Sequence, residues 1–288
     1  MIRTLLMPAA LLASGTPQIP QTLDGMRTYF AQPTTPFRIL GNIYYVGTQT
    51  VPAYLVTTPE GHILIDGTPA EGAPLVAASI RRLGFRVEDV RYLLINHAHW
   101  DHAGGLAELK RLTGARLIAS RQDTPLLAQG RTDSLPNSVA FPPVKVDRRI
   151  GDGDVVELGG TTLMARLTPG HTKGCTSWTM DVSDTRVSVS PLRVLFACSL
   201  SVGGQPLVGN TTYPRVVSDY QSSFKRLRRM SADVFLAFHA EQFDLAAKRA
   251  RLEEGDRAAF VDHYELPRRL NDAERAFADE LARQRGPQ

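Results

Sequence analysis

The chain has 288 residues, is 43% hydrophobic and 22% charged, and carries a formal net charge of +4. That is ample length for a real core, as one large or two small domains, with an ordinary globular composition. The charge is small and spread out and gives no ground for nucleic-acid binding; the densest basic run, Lys225-Arg226-Leu227-Arg228-Arg229, reads as a solvated helix face. At the amino terminus Arg3 is followed by an almost unbroken apolar run over 4–13 and the small residues Ala13-Ser14-Gly15. Residues 1–15 are therefore expected to be a secretory signal, too short to anchor in a bilayer. Residues 16–36 read as an extension ahead of a single domain over 37–288.

Alternating β-formers predict strands over 37–46, then a hairpin over 53–67 that turns at Pro59-Glu60-Gly61. His62 opens the second arm and reads as exposed. Asp66 ends it before Gly67, where a carboxylate can orient a metal-bound histidine. A helix is predicted over 70–83, closed by Gly84, then a buried strand over 90–95 and a helix over 106–113. A strand over 114–120 precedes a helix over 121–129 that Pro125 is expected to break. Residues 130–147 hold Pro136, Pro142 and Pro143 and read as a long surface loop, of a length that borders a site or is disordered. Further strands are predicted over 155–158, 161–167, 177–182, 192–198 and 233–238, with a helix over 218–230. An amphipathic helix over 271–285, capped by Asn271, closes the chain.

The chemistry gathers at strand ends. Directly after the strand over 90–95 comes Asn96-His97-Ala98-His99-Trp100-Asp101-His102, four metal-capable side chains within six residues. His97 and His99, two apart, project to one side of an extended segment. Three imidazoles and a carboxylate suit a borderline-soft divalent cation such as zinc. His171 lies between Gly170 and Gly174 on a turn after another strand, and His239 ends the last apolar strand. His263 lies away from any strand end and is not expected to take part. The class is mixed α and β, and two sheets meeting at one edge would gather these residues. The only two cysteines, Cys175 and Cys198, are open to a disulfide or to two buried thiols.

The set His97, His99, Asp101, His102, His171 and His239, with Asp66-Gly67 before it, resembles the metallo-β-lactamase superfamily from about Phe37 onward. The resemblance implies an α/β fold, a four-layered αβ/βα sandwich of two mixed β-sheets flanked by helices, with a dinuclear site at one edge. Ser199 stands where many binuclear hydrolases of the superfamily place a metal-bridging Asp. That serine, the run Ser199-Leu200-Ser201-Val202-Gly203-Gly204, and His102 directly after Asp101 resemble class B β-lactamases of subclass 3. The other branches place a Cys at the Ser199 position or an Asn at the His97 position. By this resemblance His97, His99 and His171 hold a first Zn2+, and Asp101, His102 and His239 a second. Asp66 supports a ligand histidine, Ser199 and Ser201 bind the substrate carboxylate, and Cys175 pairs with Cys198.

The implied reaction is hydrolysis of the β-lactam amide of penicillins, cephalosporins and carbapenems by hydroxide generated at the metals, conferring antibiotic resistance from the periplasm. Residues 135–141 would wall the pocket and Trp100 would pack under it. Lys173, where Pro is common, and Gln205, near where some members have a Tyr, depart from the pattern. The small-molecule β-lactam is the only partner implied; neither nucleic acid nor, after signal removal, a membrane is expected, and the chain is expected to be a monomer. An ester, lactone or thioester hydrolase of the same fold is the rival enzyme reading, and a non-catalytic zinc-binding protein the rival outside enzymes.

Overall fold

The computed structural model describes residues 19–132 and 139–286. The signal expected over 1–15 and residues 135–138 of the expected pocket wall lie outside the described residues. A short helix, α1 (Leu23–Phe30), begins at Thr22, whose hydroxyl accepts from the Gly25 N–H. Four antiparallel strands follow, β1 (Phe37–Leu40), β2 (Ile43–Tyr45), β3 (Tyr54–Thr58) and β4 (Gly61–Ile65). Crossover helices then extend the sheet in parallel. α2 (Ala73–Arg82) leads to β5 (Val90–Leu94), α3 (Trp100–Ala103) and α4 (Leu106–Thr113) lead to β6 (Arg116–Ser120), and α5 (Thr124–Gln129) precedes β7 (Arg148–Ile150). The result is one 7-stranded sheet with its strands in chain order.

The second, 5-stranded sheet is built from β8 (Val155–Leu158), β9 (Thr161–Leu167), β10 (Thr176–Val182) and β11 (Leu192–Phe196), all antiparallel. α6 (Val216–Leu227) crosses over to β12 (Val234–Leu236), parallel to β11, and α7 (Leu245–Glu253) and α8 (Glu265–Arg285) complete the chain.

Side-chain alternation explains the layering. In the first sheet Tyr54, Val56, Ile63, Ile65, Leu94 and Ile118 join a core shared with the second sheet and with α6 and α8. Their strand neighbours Leu55, Leu64, Leu93 and Leu117 face the other way, into a second core with Val76 and Ile80 of α2 and Leu106 and Leu109 of α4. The sheets thus lie face to face with helices outside, and rings such as Tyr54 and Phe196 meet between them at 5.2 Å. This is the expected two-sheet arrangement flanked by helices.

Some details differ from expectation. Pro125 sits in the first turn of α5, where its missing N–H has no intrahelical role, so it starts the helix and does not break it. The last helix begins at Glu265, again with Pro267 in the first turn; Asn271 lies inside it and its side-chain oxygen accepts from Arg228. β7, with two arginines in three residues, and the helices α1 and α7 had no distinct sequence pattern. His62 is buried, its ring edge-on to Phe85 at 5.1 Å.

Candidate metal centre

The carboxyl ends of β4, β5, β9, β11 and β12 converge on one edge of the sandwich, because parallel crossovers and the β11–β12 pairing bring strand ends to the same side. After β5 the chain runs extended through His97 and His99, then coils into α3, which carries Asp101 and His102. His171 follows β9 on a turn whose two glycines are required. Gly170 has φ +146 and a Cβ there would stand 2.7 Å from the Tyr220 ring; a Cβ on Gly174 would stand 2.2 Å from the Ser120 hydroxyl. His239 follows β12 in extended conformation.

Two sets of three donors result, His97 with His99 and His171, and Asp101 with His102 and His239. In the first, His99 Nδ1 lies 3.1 Å from His97 Nε2 and 3.1 Å from His171 Nε2. In the second, His102 Nε2 and His239 Nε2 stand 3.1 Å apart, each 3.4 Å from an Asp101 carboxylate oxygen. Donors about 2.0–2.2 Å from one cation at tetrahedral angles stand roughly 3.3–3.6 Å from each other. The donor set therefore fits a small tetrahedral cation at each position, with three protein donors per cation and a fourth position left for another ligand. His263 is exposed, bonds Asp233 at 2.8 Å and belongs to neither donor set.

In His97, His102 and His171 the opposite ring nitrogen is occupied, which fixes the donor atom. His102 Nδ1 meets the Asp66 carboxylate at 2.9 Å, His171 Nδ1 the Ser201 carbonyl at 2.8 Å, and His97 Nδ1 the Asn96 side-chain oxygen. Asn96 in turn donates to Asp66, which also accepts from the Gly67 N–H at 2.9 Å. Asp66 is fully buried with φ +77 and Thr68 has φ +58, a backbone that costs about 1–3 kcal/mol per residue and persists only where contacts over-determine it. The electrostatics follow from burial. Burial, and then the neighbouring imidazoles, hold His97 and His99 well below the usual histidine range, and burial takes His171 down to about 4. Burial also disfavours charge on His102, but the Asp101 and Asp66 carboxylates outweigh it and lift that pKa to about 9. The first set is thus three neutral imidazoles, while the second carries the carboxylate.

Sequence reasoning missed two residues that build this site. Asn96 adjoins the motif and could have been found by position. Asp123 could not: it lies at the start of α5 and is buried, and one carboxylate oxygen accepts from the Ala98 N–H at 3.1 Å and the Thr172 hydroxyl at 3.4 Å, tying together two loops that carry metal-capable histidines. Ser199 is buried and Ser201 exposed, with their hydroxyls 3.0 Å apart. Gln205 donates to the Gly170 and His171 carbonyls at 2.9 and 3.3 Å, bracing the His171 turn. Trp100 is buried under the motif against Phe30. Cys175 and Cys198 are bonded, joining the start of β10 to the end of β11.

Residues 46–239 match the metallo-β-lactamase superfamily, and the chain belongs to that superfamily and has its fold. A metallo-β-lactamase of Cronobacter sakazakii, described by its HARLDQ motif, is 41% identical, with a TM-score of 0.86 over 91% of this chain and 100% of that one. This chain has instead His97-Ala98-His99-Trp100-Asp101-His102. BJP-1, a subclass B3 metallo-β-lactamase of Bradyrhizobium japonicum, is also 41% identical, with a TM-score of 0.83 over 88% of this chain and 96% of that one. Among curated proteins, a hydroxyacylglutathione hydrolase of Rhodopseudomonas palustris (strain BisB5) is 30% identical over 72% of this chain and 68% of its own length. The chain spans 50% of the length of the BisB18 relative with the same description.

Proposed function

We propose that the chain is a dizinc β-lactamase of the subclass B3 kind, hydrolysing the β-lactam amide of penicillins, cephalosporins and carbapenems and so conferring resistance. The observation that carries the reading is the division of six donors into two sets of three, joined by no shared carboxylate among the described residues. Ser199 follows β11, where many binuclear hydrolases of the superfamily place a bridging Asp. The similarity to BJP-1 supports the same reading.

His97, His99 and His171 would hold one zinc, and Asp101, His102 and His239 the other. Zinc held there supplies Lewis acidity toward a carbonyl and brings the pKa of water toward neutrality. The chain's own work is orientation. Asp66, Asn96 and the Ser201 carbonyl fix three imidazoles with their lone pairs inward. The exposed Ser201 hydroxyl donates to the substrate carboxylate, with Ser199 behind it to set its direction. No serine acts as nucleophile, as no Gly-x-Ser-x-Gly turn surrounds either one. Residues 135–141 wall the pocket in this reading; the described Phe141 lines, with Trp100, Arg27 and Glu71, a hollow that none of the six donors lines. Residues 1–15 act as a secretory signal, the domain extends over 37–288, and the protein works in the periplasm as a monomer. Among the described residues no helix is long and apolar enough to cross a membrane.

A second reading, hydrolysis of a glutathione thioester, is favoured by the hydroxyacylglutathione hydrolase relatives. Hydrolysis of a chromogenic cephalosporin, a carbapenem and S-lactoylglutathione, each before and after chelation and zinc repletion, separates the two. β-Lactam turnover lost on chelation and restored by zinc supports the proposal. Turnover of the thioester alone transfers the site to the second reading.

A further inference from the structure

A cavity of about 280 Å³ opens between α8 and the segment that follows β11; none of the six metal-capable side chains lines it, while Ser201 borders it. Its size is near the lower end of small-molecule pockets, roughly 300–1,000 Å³. Leu200, Val202, Phe235 and Phe277 give it an apolar wall. One face of α8 supplies the other side, with Arg269, Asp272, Ala273 and Ala276 at helical spacing. The two charges on that face differ. Arg269 is committed to Asp244 at 2.6 Å and Glu265 at 3.2 Å. The Asp272 side chain is exposed, and its carboxylate has no hydrogen bond or ion pair among the described residues.

We propose that this cavity is a second small-molecule site, for an aromatic amine whose ring fills the apolar part and whose ammonium group meets Asp272. Ring burial drives the binding, and the uncommitted carboxylate selects a cation over an anion. The site is coupled to the metal centre through one residue. Leu200 and Val202, which would pack against the ring, flank Ser201, and the Ser201 carbonyl accepts from His171 Nδ1 at 2.8 Å and the Tyr220 hydroxyl at 2.6 Å. A ligand that shifts this segment changes how His171 is held. By linkage, metal binding changes the amine's affinity by the same factor. The cavity goes beyond the hydrolase reading and does not depend on it, while the coupling rests on that reading's metal at His171.

The test uses the fluorescence anisotropy of 1-naphthylmethylamine with the whole protein. Saturable binding is expected with a dissociation constant of about 0.1–1 mM, typical of a small ligand burying one ring. Asp272→Asn should weaken it about tenfold, roughly one charge-assisted contact. Ala273→Leu, which fills the cavity, should abolish it, and 1-naphthalenesulfonate should bind at least about tenfold more weakly than the amine. Saturating amine should shift the zinc affinity by about threefold or more, and zinc should shift the amine's affinity equally. Binding that fails to saturate, that survives Ala273→Leu, or that tolerates Asp272→Asn and the sulfonate alike overturns the site. Stoichiometric displacement of the amine by zinc would put it on the histidines and overturn the site too. Unchanged zinc affinity overturns the coupling.

Discussion

The ring of Phe30, at the end of the amino-terminal helix, packs against the imidazole of His239 with 5.6 Å between centroids, and against Trp100 at 5.8 Å. The helix end is tied down from behind. Thr48 donates to the Phe30 carbonyl at 2.7 Å and Thr50 to the Tyr29 carbonyl at 3.1 Å, while the Ala240 N–H donates to Thr50 at 2.9 Å. A segment that read as a mere extension is therefore part of the wall behind the second donor set. Phe30→Ala should lower metal affinity at Asp101, His102 and His239 about tenfold, the low end for losing a group that orients a ligand. It should also cost about 3 kcal/mol of stability through the cavity it leaves. Competition titration against a chromophoric chelator, with denaturant unfolding alongside, checks both. Equal loss at the two metal steps would count against a specific hold on His239.

Asp66 makes a sharper case because it touches one of the metal-capable histidines directly. Its buried carboxylate meets His102 Nδ1 at 2.9 Å and accepts from Asn96 and from the Gly67 N–H. Asp66→Ala frees the His102 ring to choose either tautomer and leaves Asn96 without its acceptor. Metal affinity should fall about 10–100-fold, with a matching fall in turnover at limiting metal. Asp66→Asn keeps the shape but can offer His102 an amide in place of an acceptor, so it should fall between wild type and Ala. Wild-type affinity in the Ala variant would remove Asp66 from the support of the site.

The disulfide predicts a stability effect more than a chemical one. Cys175 and Cys198 are 23 residues apart, and closing a loop of that length constrains the unfolded chain by about 3 kcal/mol. Cys175→Ser with Cys198→Ser should lower stability by about that amount, read by denaturant unfolding at matched m-value. Metal stoichiometry should stay the same, since neither sulfur belongs to the two donor sets. Loss of metal binding in a variant that still folds would mean the bond positions the neighbouring Ser199 segment.

The sequence made most of the fold readable because its strands are short, apolar and punctuated by glycine, and because the metal-capable residues all fall where such strands stop. What it hid was set by distant partners. His62 looked like a solvated strand start, yet Phe85 covers it. Asn271 had the form of a cap, but the helix had already begun at Glu265 through a proline that its first turn tolerates. Asp123 sits in no motif, and its role exists only because two loops far apart in the chain arrive beside it. The role of Phe30 is of the same kind, a tertiary contact with no local period.

Such a distant partnership also governs acid stability. Asp184, just past β10 in the second sheet, is buried and accepts from the Gly41 N–H at 2.8 Å, in the turn between β1 and β2 of the first sheet. Gly41 is required there: its φ is +53, and a Cβ would stand 2.3 Å from Val182. Arg186 closes the arrangement with guanidinium bonds of 2.8 and 2.6 Å to the same carboxylate. The Arg186 guanidinium, and against burial the Gly41 and Arg186 N–H groups, hold Asp184 well below the usual carboxylate range. A depressed folded pKa stabilises the fold above the unfolded carboxylate pKa of about 3.9 and loses that contribution as pH falls through the folded value. Asp184→Asn should cost about 1.5–3 kcal/mol at pH 7, the range for hydrogen bonds to a charged group. Below about pH 4 the gap from wild type should narrow, since the unfolded wild-type carboxylate then takes up a proton while the folded one stays charged. Urea unfolding of both proteins at pH 7, 4 and 3 measures the gap. A gap that stays constant across that window would mean Asp184 acts through shape alone, and that the link between the sheets does not depend on its charge.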